Sequence, residues 1–170
     1  FDISGREFVA LTEYYRAERY IATRLLMLMN FPFSDIGSVS KEIERLEKRL
    51  EINYESLQKE AIEYSLKKGL LVLTGGPGTG KTTIVKGILH LYDQMGLKCL
   101  LAAPTGRAAK RLTEVTGQEA STIHRLLGAG IDPHSGELFF SKNEEDPLKV
   151  DAVIVDEMSM VDIELLYCLF

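Results

Sequence analysis

The stretch Gly75-Gly76-Pro77-Gly78-Thr79-Gly80-Lys81-Thr82 constrains the fold more than any other, because it spells the complete phosphate-binding pattern GxxxxGK[ST]. Ahead of it, Leu70-Leu71-Val72-Leu73-Thr74 is a short apolar run that predicts a buried parallel strand. Behind it, Ile84, Ile88, Tyr92 and Met95 recur at helical spacing up to Gly96, a C-terminal stop. Strand, glycine loop and helix in this order aim backbone N–H groups and the positive end of a helix dipole at one point. A polyphosphate suits that point. Glycines are required there because a Cβ would block close approach to phosphate oxygens. Gly75 through Thr83 then form the nucleotide cradle, with Lys81 on the β- and γ-phosphates and the Thr82 hydroxyl on Mg²⁺. A glycine-rich turn matching by chance would not bring both flanks and the Lys81-Thr82 pair into register.

The remaining composition narrows the class. A length of 170 residues, 45% of them hydrophobic, is enough for one good core with a smaller helical attachment. The net charge of −5 gives no global attraction for nucleic acid, so any such binding must use a local basic patch. Cys99 and Cys168 sit in apolar runs without metal or redox spacing. They read as buried small hydrophobes in a reducing, cytoplasmic compartment. No apolar stretch reaches membrane-spanning length. The sequence opens at Phe1 without a methionine and closes at Phe170 inside an apolar helical pattern, as a piece of a longer protein would.

In chain order, residues Arg6 to Met29 predict a helix, with Leu11, Tyr14, Tyr15, Ile21, Ala22, Leu25, Leu26 and Met29 on its broad apolar face. Asn30 to Asp35, with Pro32, breaks it. A second helix is expected from Ser40 as N-cap, with Ile43, Leu46 and Leu50 apolar and Glu44 paired with Lys48. A third spans roughly Glu55 to Lys68. Leu97 to Ala103 predicts a second buried strand, after which Thr105 caps a helix bearing Arg107, Lys110 and Arg111. Ser121 to Leu127, closed by Gly128, predicts a short helix containing Thr122 and His124. Asp132 to Gly136 is turn chemistry before a short strand at Leu138–Phe140. Ala152 to Val155 predicts a further buried strand, and Ser159 or Asp162 caps a terminal helix. Strands alternating with helices imply an α/β fold with a parallel sheet and ligands at the carboxyl ends of its strands.

Asp156-Glu157 stands where the last strand runs out, which puts two carboxylates at that same mouth. Asp156 suits the Mg²⁺ shell, and Glu157 suits polarising the water that attacks the γ-phosphate. Thr105 and the N–H groups after it can hold a nucleic-acid phosphate, with Arg107 strengthening the contact. Thr122 and His124 can do likewise on the neighbouring loop, although a histidine between helix and strand is as readily structural. Such contacts hold a strand without reading its sequence.

Gly75–Thr83, Ala103-Pro104-Thr105-Gly106-Arg107-Ala108-Ala109, Ser121–Gly128 and Val153–Asp162 together resemble motifs I, Ia, Ib and II of a superfamily-1 DNA helicase of the RecD-like (RecD/TraA) group. The resemblance covers roughly Tyr54 to the end, and a weaker likeness covers the early stretch Leu11–Leu28. It implies a partial RecA-like P-loop NTPase, the N-terminal motor domain, over residues 51–170, preceded by a small helical segment over 1–50. It further implies ATP and Mg²⁺ as cofactors and 5′-to-3′ movement on single-stranded DNA. Gln58 becomes the residue that reads adenine, and Pro104, Thr105, Gly106, Arg107, Thr122 and His124 become DNA contacts. The remaining motifs, including an arginine that neutralises the transition state, are expected on a second RecA-like domain of the same chain, with other repair or recombination subunits as further partners. The rivals are an AAA-type ATPase, indifferent to single-stranded DNA, and a low-turnover nucleotide-dependent binding module.

Overall fold

The computed structural model describes residues 2–32, 39–76 and 78–170. Phe33 to Asp35 of the expected break and Pro77 of the glycine loop therefore lie outside the described residues.

The first described element is a small ladder, β1 (Asp2–Ile3) against β2 (Arg6–Glu7). It closes through Ser4 and Gly5 at φ +54° and +79°. This ladder takes up Arg6 and Glu7, so helix α1 starts later than expected, at Thr12, and runs to Met29. Only Ala17 and Ile21 of α1 are buried, and Leu11, Tyr14, Leu26 and Met29 of the predicted apolar face are exposed. Helix α2 (Ser40–Leu50) buries Ile43 and Leu46 as expected, whereas Leu50 remains exposed. Val39, not Ser40, holds its N-cap position, with no side-chain bond. The ion pair along α2 joins Arg45 to Glu42 at 3.4 Å, in place of Glu44 with Lys48.

Helix α3 (Ser56–Lys67) packs against α4 (Lys81–Gln94), and both pack against α2. The resulting core cluster joins Val39, Ile43 and Leu46 to Ile62, Ile84, Ile88 and Leu91. A three-stranded parallel sheet follows, ordered β4 (Ala120–Thr122), β3 (Cys99–Ala103), β7 (Ala152–Val155). Between β3 and β4 lies helix α5 (Gly106–Thr116), packed on both. After β4 comes the single turn α6 (Ile123–Leu126), so the predicted helix from Ser121 begins two residues late because Ser121 and Thr122 pair with β3. An antiparallel hairpin of β5 (Ala129–Ile131) and β6 (Leu138–Phe140) projects next, turned by Asp132, whose carboxylate accepts the N–H groups of His134 and Ser135. The last helix, α7 (Ile163–Leu169), is capped by Asp162 rather than Ser159 and packs against α1.

One predicted strand is absent as such. Leu70–Thr74 makes no ladder with the sheet. Leu71 and Leu73 nevertheless pack on the α2–α3–α4 core while Val72 is 71% exposed, so the run alternates as a strand does. It and β7 line one open cleft, and among the described residues its backbone joins no ladder there. Both cysteines are half-buried, and desolvation pushes the Cys99 thiol up to about 11, as expected of a packing residue.

Candidate nucleotide and nucleic-acid site

The glycine loop turns into α4 at Gly80, whose φ of +83° is a left-handed conformation disfavoured for any residue with a Cβ. A Cβ at Gly80 would also meet the carboxamide nitrogen of Gln58 and push that side chain aside, so the φ is what favours glycine and the contact shows how near Gln58 lies. Lys81 folds back over the loop, and its ammonium donates to the carbonyls of Gly75 at 2.5 Å and Gly76 at 2.8 Å. Thr79 Oγ1 adds a bond to the Gly76 carbonyl at 3.0 Å. Thr82 and Thr83 form the first turn of α4, where unpaired N–H groups point out of the helix, and Thr82 is exposed. With 14 residues behind it, this helix start carries a developed positive end.

Gln58 arrives from α3. Its Oε1 accepts the Glu55 N–H at 3.0 Å in a reciprocal capping box, which leaves Nε2 facing Gly80. Gln58, the adenine reader that the resemblance implies, thus stands beside the loop at Gly80, held by its own helix start.

The acid pair lies across the cleft. Asp156 N–H donates to the Ala102 carbonyl at 2.9 Å, so β7 stays tied to β3 one residue beyond its end. The Asp156 carboxylate accepts the Glu157 N–H at 2.9 Å. Glu157 takes a left-handed φ of +54° and leads into a single 3-10 turn, Met158–Met160. Asp156, Glu157, Gly75, Lys81 and Thr82 all line one open cleft of about 2580 Å³, which also runs past α1, β6 and α7. Phosphates, a threonine hydroxyl, one carboxylate and water would satisfy a hard divalent cation there. Such a shell needs no cluster of protein ligands, and among the described residues no group of three or more His, Cys, Asp or Glu gathers to hold a metal. The chemistry of these side chains thus fits Mg²⁺ bound with a triphosphate.

The predicted nucleic-acid residues fall into a row by topology. Ala103 is in register with Thr122, and Ala102 with Val155, so β4, β3 and β7 end side by side at one edge of the sheet. Adjacent exits are about 4.8 Å apart. From the middle exit, Pro104 is half-buried, and Thr105, Gly106 and Arg107 emerge exposed. Thr105 Oγ1 caps α5 by accepting the Ala108 N–H at 3.2 Å. Thr122 Oγ1 does the same for Arg125 at 3.1 Å. His124 is exposed on one side, and its ring lies 5.9 Å from that of Phe140, which anchors it to the hairpin.

Sequence reasoning missed the supports of Gln58. Glu47 of α2 accepts the Tyr54 N–H at 2.7 Å and pairs with Lys59 at 2.9 Å. The Glu-x-x-Gln spacing of Glu55 and Gln58 was a legible sign of the capping box, whereas nothing in the sequence marks Glu47.

A parallel sheet with a glycine loop at the head of α4 and an acid pair at the end of β7 defines part of a RecA-like phosphate-loop NTPase. The family model described as an AAA domain matches residues 58–170, and the chain belongs to that family. It is 38% identical over 158 residues to the ATP-dependent RecD2 DNA helicase of Deinococcus radiodurans, an alignment that takes in 93% of this chain and 21% of that protein. Against the RecBCD enzyme subunit RecD of Mycolicibacterium smegmatis it is 40% identical, over 64% of this chain and 23% of the relative. The corresponding subunit of Haemophilus influenzae is 31% identical, over 89% and 27%. The chain thus spans about a fifth to a quarter of the length of these relatives.

Proposed function

We propose that this chain is the ATP-binding half of the motor of a RecD-like, ATP-dependent DNA helicase that moves 5′-to-3′ on single-stranded DNA. The observation that carries the reading is the common cleft: the Lys81-Thr82 segment and the Asp156-Glu157 pair, far apart in sequence, face one cavity. ATP lies with its base toward Gln58 and its phosphates on Gly75–Thr83. Lys81 would exchange the loop carbonyls for phosphate oxygens, Thr82 and Asp156 would hold Mg²⁺, and Glu157 would orient the attacking water. When bound, the metal neutralises charge developing on the transferred phosphoryl group.

The row of strand exits supports the coupling of this chemistry to DNA. Thr105, Gly106 and Arg107 grip one phosphate and Thr122 with His124 the next, beside the acid pair on the same sheet edge. Closure of a second RecA-like domain of the full-length protein would shift that grip and supply the neutralising arginine, worth about 10³–10⁵ in rate. The relatives' names, a DNA helicase and a subunit of the RecBCD enzyme, favour this reading over an AAA-type ATPase that ignores DNA. Repair or recombination subunits are proposed as further partners, and the cytoplasm as the compartment, in keeping with two free cysteines. No described helix is long and apolar enough to cross a membrane. Residues 1–50 are proposed as the helical lead-in and 51–170 as the motor unit.

ATP hydrolysis by the full-length protein, measured with and without a single-stranded oligonucleotide, tests the proposal. Wild type is expected to be stimulated by DNA, and Arg107→Ala to lose more of the stimulated rate than of the basal rate. Equal losses in both rates, or no stimulation of wild type, would count against it.

A further inference from the structure

From the packing around Gln58, we infer that Glu47, in the helical segment ahead of the motor unit, is a positioning residue for nucleobase selectivity. The inference rests on the reading of Gln58 as the residue that meets the adenine base.

Gln58 lies in the first turn of α3, so its carboxamide goes where that helix start is put. Three contacts fix the start. Glu47 reaches across from α2 and accepts the backbone N–H of Tyr54 at 2.7 Å, just before α3 begins. The same carboxylate takes the ammonium of Lys59, the residue after Gln58, at 2.9 Å. Only 12% of the Glu47 side chain is exposed, so this charge is largely enclosed by its two donors. From the opposite side, the buried Tyr54 ring lies against α4 where that helix has Gly87. A Cβ on Gly87 would stand 2.7 Å from the Tyr54 hydroxyl and 2.9 Å from Ile62 Cδ1. Tyr54 therefore seats on bare backbone of the helix that carries Lys81 and Thr82.

The result is a clamp across three helices. Glu47 holds the entry to α3, Gly87 admits Tyr54 onto α4, and the Glu55 N–H turns Gln58 Oε1 inward so that Nε2 faces Gly80. Without Glu47, the Tyr54 N–H and the Lys59 ammonium lose their shared acceptor, and the start of α3 can move relative to the phosphate loop. Lys81 is held by the loop carbonyls, and Asp156 and Glu157 by the end of the sheet and by each other; among the described residues none of these hydrogen bonds is made to Glu47. Loss of the clamp should hence loosen recognition of the base and spare the chemistry. A carboxamide can still accept the Tyr54 N–H, so Glu47→Gln should keep part of the function that Glu47→Ala loses.

The test is steady-state hydrolysis of ATP and GTP by the full-length protein and its Glu47→Ala, Glu47→Gln and Gln58→Ala variants, with thermal melting as a check on folding. Expected for Glu47→Ala is a rise in KM for ATP of about tenfold with kcat within about twofold, and a fall in ATP-over-GTP preference matching that of Gln58→Ala. Glu47→Gln should fall between wild type and Glu47→Ala. If Gln58→Ala loses the preference and Glu47→Ala keeps it, the positioning role is overturned and the reading of Gln58 stands. If neither loses it, both fall. A drop in kcat for Glu47→Ala with KM and preference unchanged would equally overturn the proposal.

Discussion

At the scale of single residues, Glu157 bears the most on mechanism. A left-handed φ of +54° on a glutamate costs roughly 1–2 kcal/mol relative to the right-handed well, and it places the carboxylate at the mouth of the cleft just past β7. Glu157→Gln keeps the backbone and removes the charge that orients water. It should bind ATP as wild type does and lose hydrolysis by at least about 10²-fold, read from equilibrium binding alongside turnover. Glu157→Gly should lose turnover equally but lose no more than about 1 kcal/mol of unfolding free energy in a denaturant titration, since glycine accepts this φ. Unimpaired hydrolysis in either variant would remove Glu157 from its role. The residues that announced themselves in the sequence were those whose chemistry is local. Lys81, Thr105 and Asp162 act through spacings of a few residues, and the structure places them at a loop and two helix starts as expected. Glu47 could not be read this way. On a helix of alternating charges it looks like its solvated neighbours until α3 is folded beneath it.

At the scale of elements, what the sequence left out is partnership. An apolar run specifies that alternate side chains be buried, and Leu71 and Leu73 obey, but a strand also needs a neighbour at ladder distance, and Leu70–Thr74 has a cleft on the side of β7. Likewise Arg6 and Glu7 carry no sign of the ladder that keeps them out of α1, because its other half is only two residues long. The parallel strands 99–103 and 152–155 were legible because each is a nearly unbroken apolar run ending in a polar turn. One element contact makes a pH prediction. Arg49 of α2 meets His90 Nδ1 of α4 at 3.2 Å, and His90 Nε2 is buried with no hydrogen-bond partner among the described residues. Burial, followed by the Arg49 charge, holds the imidazole below its ordinary range against the weaker pull of Asp93. The folded protein thus keeps His90 neutral where the unfolded chain, near pH 6.5, takes up a proton. Stability is present above that pH and is lost as pH falls through it. Melting at pH 7.5 should exceed melting at pH 5.5, and His90→Gln should narrow the gap. An unchanged gap would remove His90 as its source; Glu47, whose carboxyl is held low by Lys59 and the Tyr54 N–H, weakens the fold only at more acid pH, below this window.

At the scale of the whole molecule, three clusters of buried side chains tie the parts together. One joins α2 to the α3–α4 pair, one sets α5 on the sheet, and one seats α6 and α7 at the end of β3. Every group proposed to meet nucleotide or DNA lies in the glycine loop, at a helix start or at a strand exit, and Glu47 acts on one of these from within α2. The account stands on two remote segments holding one metal–nucleotide complex. Equilibrium binding of ATP to the full-length protein as a function of Mg²⁺, for wild type, Thr82→Val and Asp156→Asn, tests this most directly. Mg²⁺ should tighten ATP binding to wild type, and both substitutions should abolish the tightening. A variant at either position that keeps the full Mg²⁺ effect would show that the threonine and the aspartate do not share a cation.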